Sequence, residues 1–288
     1  MKKNTSVLLF GVLALLPLSV HAAKSEGINT TTVSVDCNKG QSVNDAIKKV
    51  TTPGSTILVS GICNENVLIP STLDQVTIDG QGTAEIHGLN DDSSTVWIRG
   101  SEITLKGFNL ITGNRFGVNI GRAAWGEIID NTISGNRNGV LLTGSSFGRL
   151  LGNNITGNVN GVVATETSSA RIGIKAGFIT PEPIDSNTIS NNTGHGVLVT
   201  RASSARILQN EINSNGRHGI NVQNNSHASL GLNDISSNGT FGINVYDTSS
   251  VNLSNEGNSD PTYNTITLNS VGGIQCGSNS SVSGQLSI

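Results

Sequence analysis

The sequence predicts an all-β fold, a single-stranded right-handed parallel β-helix of about nine coils with a short helical cap at its N-terminal end. Three observations predict it: a repeat of about 22–23 residues, alternating Ile and Val within each repeat, and a chain rich in Gly and Asn but only 3% aromatic. A coil of that length cannot bury its own apolar face, so it gains a core by stacking on its neighbours.

The first element is a leader. Lys2 and Lys3 precede an apolar run from Val7 to Val20, and Val20 and Ala22 supply the small side chains of a cleavage site, so residues 1–22 read as a signal peptide. The run of about 14 residues is short of the roughly 20 that span a bilayer. An exported chain, secreted or periplasmic, is therefore expected, with no membrane insertion. The formal charge of −3 gives no general attraction for nucleic acid or anionic lipid.

Residues 23–65 form the cap. Ser42 is placed to cap a helix through Asp45, Ala46, Ile47 and Val50, ahead of a strand over Thr56–Val59. Such a helix plugs the open end of a solenoid core. In an oxidising compartment Cys37 and Cys63 are the favoured disulfide, with Cys276 left at a core-facing repeat position; the alternative is three small buried thiols. No Cys/His spacing points to a structural metal, and no cofactor is expected.

The coils occupy residues 66–288. A Gly followed by an apolar residue, any residue and a second mostly apolar residue recurs at Gly117, Gly139, Gly161, Gly196, Gly219, Gly242 and Gly273. About eight residues earlier comes Asn-x-Ile, as in Asn131–Ile133, Asn210–Ile212 and Asn233–Ile235, and a second Asn stands three or four residues before each glycine. Asn suits tight turns because it tolerates left-handed backbone and its amide can bond stacked neighbours. A third strand follows each glycine strand, with Ile128, Leu150, Ile172, Ile207, Leu230 and Leu253 in register. Two coils are lengthened, by residues 174–186 and by residues 255–262, which read as projecting loops.

The pattern N-x-I-x-x-N-x-x-G-V-x-V resembles the parallel β-helix repeat of the pectin-lyase-like superfamily, over roughly residues 66–288. The resemblance implies the fold; because that superfamily holds lyases, hydrolases, epimerases, adhesins and non-catalytic proteins, it implies no one activity. Gly194-His195-Gly196 is similar to the Gly-His-Gly triplet of polygalacturonases, but the Asn-Thr-Asp and Asp-Asp elements of that family are absent beside it. The glycine strands carry no outward carboxylates of the kind that hold calcium in pectate lyases, and Asp260-Pro261 does not continue as the Asp-Pro-His-Asp element of alginate epimerases.

Stacking turns equal repeat positions into columns, and the outward columns are where function is sought. Leu141, Val163 and Leu198 form an apolar stripe, which is either an exposed dimer or partner contact or is covered by the 174–186 insertion folding back over it. Arg149, Arg171 and Arg206 form a row of guanidinium forks suited to the carboxylates of an acidic polysaccharide. His195 and His218 fall on adjacent coils beside Arg217, and Glu211 stacks on Asp234, a set of groups able to run general acid–base chemistry. With Trp97 and Trp125 as the only tryptophans, no aromatic platform for sugars is expected.

Two readings follow. In the first, the chain binds carbohydrate or another extracytoplasmic surface partner, an acidic polysaccharide or cell-surface glycan, without chemistry. In the second it is a polysaccharide lyase, glycoside hydrolase or epimerase working through His195, His218, Arg217, Glu211 and Asp234.

Overall fold

A computed structural model describes residues 30–89, 92–173, 186–253, 263–277 and 279–285. The leader at 1–22, nearly all of the 174–186 insertion and the 255–262 loop lie outside the described residues. The strands fall into three parallel sheets, one of eleven strands and two of nine, each built by taking every coil's contribution in turn. A single chain that winds repeatedly from sheet to sheet is a β-helix, and parallel crossovers of this kind are right-handed. The sheets are named here for what they carry: the arginine sheet, eleven strands from Thr32–Asp36 to Ser281–Ser283; the isoleucine sheet; and the glycine sheet.

The core is a stack of aliphatic files. Val118, Val140, Val162, Val197, Ile220 and Ile243 make one, Ile111, Ile133, Ile155, Ile189, Ile212 and Ile235 another, and each is buried to 1% exposure or less. The glycines form one file because nothing larger fits: a Cβ on Gly139 would sit 2.7 Å from Ile155 Cγ2 and 2.8 Å from the Gly161 carbonyl, and the same clash recurs along the stack.

Two asparagine ladders staple the corners around the isoleucine sheet. Asn158 is typical. Its Nδ2 donates to the carbonyls of Ile133 and Thr156 and to Asn192 Oδ1, while its Oδ1 accepts from the backbone N–H and Nδ2 of Asn136. The asparagines themselves do not take the left-handed backbone expected of them. That conformation falls on the residue before, as at Gly135, Gly157, Asn191, Ser214 and Ser237, because the ladder asparagine must turn its amide inward to reach the carbonyls. The third corner carries pairs of left-handed residues, such as Arg122-Ala123 and Asn224-Asn225, followed by a buried serine ladder.

At the N-terminal end, Ser42 caps a helix over Val43–Ile47, and Glu65 accepts from the backbone N–H groups of Val43 and Asn44. Val43, Ala46 and Ile47 are buried against the first coils, and Cys37 is disulfide-bonded to Cys63. The opposite end has no such plug among the described residues. Ile266, Ile274 and Val282 are only half-buried, and Cys276 is exposed rather than core-facing, because no described coil stacks on its strand.

Candidate functional site

The arginine row is real as geometry. Glu127, Arg149, Arg171, Arg206 and Ser229 are register partners in successive strands of the arginine sheet, on its outer face. Consecutive members therefore lie about 4.8 Å apart along the axis. The row starts with a compensated charge: Arg149 Nη1 is 2.6 Å from Glu127 Oε1, and both side chains are largely covered. Beyond that pair come Arg171 and Arg206.

Sequence reasoning missed the aromatic groups beside the row. Trp125 and Phe147 are register partners in the neighbouring outward column, with ring centroids 6.2 Å apart in an edge-on contact. The guanidinium of Arg171 lies 5.8 Å from the Phe147 ring centroid. The same face thus offers apolar ring surface and cationic forks side by side. The missed signal was the column two positions before the arginines, where Trp125 and Phe147 stand in consecutive coils.

The histidines come together as expected. The rings of His195 and His218 stack at 5.2 Å, and His218 stacks in turn on Phe241 at 6.0 Å. Phe241 N–H can only donate, so the His218 Nδ1 it points at, 3.4 Å away, carries no proton; Thr240 Oγ1 meets the same atom at 2.7 Å. Burial, with His218 and Arg217 adding positive charge nearby, pushes the His195 pKa down to about 4, and burial and Arg217 lower His218 as well. His195 is 9% exposed and its Nδ1 has no partner.

The carboxylates do not join them. Glu211 and Asp234 are register partners on the isoleucine sheet, exposed, and line a shallow recess with Ser186, Gln209, Asn210 and Leu232. Neither is hydrogen-bonded to a histidine. The apolar stripe is largely covered, so it is not the open contact face that was one of its two readings: Leu141 and Val163 are 8% and 6% exposed and Leu198 is half-buried, while nearly all of the 174–186 insertion, the cover in the other reading, lies outside the described residues. The three are register partners in successive coils.

Comparison with known proteins gives two family matches. A model described as "Right handed beta helix region" matches residues 180–286, and one described as "Periplasmic copper-binding protein (NosD)" matches residues 47–174. No curated protein sequence matches the chain. Among solved structures, the A-module of the mannuronan C-5 epimerase AlgE6 of Azotobacter vinelandii is similar at 17% identity and a TM-score of 0.42, over 91% of this chain and 97% of that one. The pectate lyase Pel9A is similar at 12% identity and a TM-score of 0.43, over 87% of this chain and 80% of that one.

Proposed function

We propose that this right-handed parallel β-helix is an extracytoplasmic binding protein that holds an acidic polysaccharide along the outer face of its arginine sheet. The observation that carries this reading is the file Arg149, Arg171 and Arg206, register partners on one outer face, running beside the Trp125–Phe147 pair. Carboxylates along a uronic chain repeat regularly, as the forks do, and each bidentate fork fixes position as well as charge. The leader and the periplasmic family match support a place outside the cytoplasm. Among the described residues no helix is long and apolar enough to cross a membrane.

The catalytic alternative draws less support. Its acid–base pair would need a carboxylate in hydrogen-bond reach of His195 or His218, and the two carboxylates sit in a separate recess. A copper role draws little support from the described residues. Among the described residues the one grouping of three ligand-type side chains is Cys37, Cys63 and Glu65, whose two sulfurs are tied up in the disulfide.

Calorimetric titration of the full chain with a uronic-acid trisaccharide and with a neutral one tests the reading. Charge-assisted bonds are worth about 1.5–3 kcal/mol each, so Arg171→Gln with Arg206→Gln should weaken acidic-sugar binding tenfold or more. Equal affinity for the neutral sugar, or an unaffected variant, overturns it.

A further inference from the structure

The arginine sheet carries a second outward column, two residues ahead of the arginines, which the reading above uses only at its start. Up the stack it runs Trp125, Phe147, Ser169, Ser204, His227 and Ser250, register partners in successive coils. Ala170 and Ala205, between the two columns, are buried in the core, so the serines face outward with Arg171 and Arg206 beside them. The column thus steps down from rings to hydroxyls for two rungs and rises again at an imidazole. Phe147 and His227 stand three rungs apart, about 14 Å along the axis at the spacing of parallel strands.

Both ends of this step lean away from it. Arg171 reaches back one rung, with its guanidinium 5.8 Å from the Phe147 ring centroid, and has no carboxylate partner among the described residues. His227 Nδ1 meets Ser250 Oγ at 2.9 Å one coil further on, and its Nε2 meets Ser229 Oγ at 3.2 Å. Neither Arg171 nor His227 therefore roofs the two serines. Phe147 has Trp125 on one side and only the Ser169 hydroxymethyl group on the other. Ser204 Oγ donates to Ser169 Oγ at 3.1 Å, which leaves the Ser169 hydroxyl proton and the Ser204 lone pairs for a ligand. An unpaired guanidinium held on an aromatic ring, beside two hydroxyls with bonding capacity to spare, suits a ring that carries hydroxyls and a carboxylate together.

We propose that Phe147, Ser169, Ser204 and Arg171 form a subsite for one uronic-acid ring, seated over the two serines against Phe147, with its hydroxyls on Ser169 and Ser204 and its carboxylate on Arg171. This deepens the acidic-polysaccharide reading above and rests on it. The arginine file alone attracts any polyanion; the step between the rings selects one built of sugar. A flexible polycarboxylate meets the same cations but brings nothing to fill the two rungs or to replace water on the serine hydroxyls. A site that bonds a ligand hydroxyl discriminates against an analogue lacking it.

Ser169→Phe is the sharpest test, because it carries the Trp125–Phe147 column one rung further, fills the step and keeps every arginine. Titration of the full chain with trigalacturonate and with triglutamate, a flexible chain of carboxylates without a sugar ring, reads the selectivity. The wild type is expected to bind trigalacturonate at least tenfold more tightly. That ratio should fall to about one in Ser169→Phe, and Ser204→Leu, which fills the neighbouring rung, should do the same; melting temperatures check that each variant folds. A wild type that binds the two ligands equally overturns the subsite whichever variants fold, and so does a ratio that survives in either folded variant. If the ratio survives in the serine variants while Arg171→Gln with Arg206→Gln loses trigalacturonate, the subsite falls and the arginine-sheet reading stands. No trigalacturonate binding by the wild type sinks both.

Discussion

At Gly139 a methyl group would meet Ile155 Cγ2 at 2.7 Å, the Gly161 carbonyl at 2.8 Å and Asn158 Nδ2 at 3.0 Å. Two of these neighbours are fixed by other bonds, so the clash cannot be relieved by a flexible tip. Gly139→Ala should therefore cost about 1–3 kcal/mol by overpacking, which a thermal melt of the variant checks. His195 gives a pH-dependent prediction. Its folded pKa of about 4 lies below the ordinary histidine value of 6.5, so on acidification the unfolded chain takes up the proton first. The stabilisation is complete above pH 6.5 and is lost as the pH falls toward 4, by roughly 3 kcal/mol over that window. Phe occupies the equivalent column at Phe116 and Phe241, and His195→Phe should keep the ring stack while flattening the melting temperature between pH 7 and 4. An unchanged slope in that variant would show that another group sets the acid sensitivity.

At the scale of the element, the asparagine ladder stabilises more than any single side chain in it. Removing Asn158 strips hydrogen bonds from the Ile133 and Thr156 carbonyls and from the Asn136 backbone N–H, in a corner closed to water. Each buried group left without a partner costs about 1–3 kcal/mol. Asn158→Ala should destabilise the fold by about 3 kcal/mol or more. Asn158→Asp should be worse at neutral pH, since a carboxylate there faces two carbonyls and an amide oxygen with nothing to donate; chemical denaturation ranks the pair. These ladders were legible in the sequence because their period repeats through most of the chain and a slip of one residue would turn every isoleucine outward. Trp97 was not legible. The glycine file begins at Gly117, and the position equivalent to it one coil earlier is Thr95, so the repeat gave no register for that strand. The arginine row was read correctly as a row, but its aromatic neighbours and the Glu127 pairing depend on rotamers that column arithmetic does not supply. For the Leu141–Val163 stripe, alternation assigns a face but not how far it is covered, which left its two readings open.

The whole molecule is a one-dimensional stack whose two ends differ, and in such a stack a perturbation is felt by adjacent coils first. The N-terminal end is closed by the Val43–Ile47 helix, by the carboxylate of Glu65 at its first turn and by a disulfide across a sequence separation of 26 residues. Loop-closure entropy over that span makes the bridge worth about 3–4 kcal/mol. The described C-terminal coil has only half-covered Ile266, Ile274 and Val282, and an exposed Leu268. Fraying in the oxidised protein should therefore start at the C-terminal coil. Reducing the disulfide, or replacing both cysteines by Ser, should open the N-terminal coils without touching the middle. Hydrogen exchange resolved along the chain separates the two cases: amides of Thr56–Ser60 and Val67–Ile69 should lose protection on reduction, while those of Asn138–Thr143 keep theirs. A uniform loss along the stack would mean that the coils unfold as one unit and that the cap stabilises all of them, contrary to nearest-neighbour coupling.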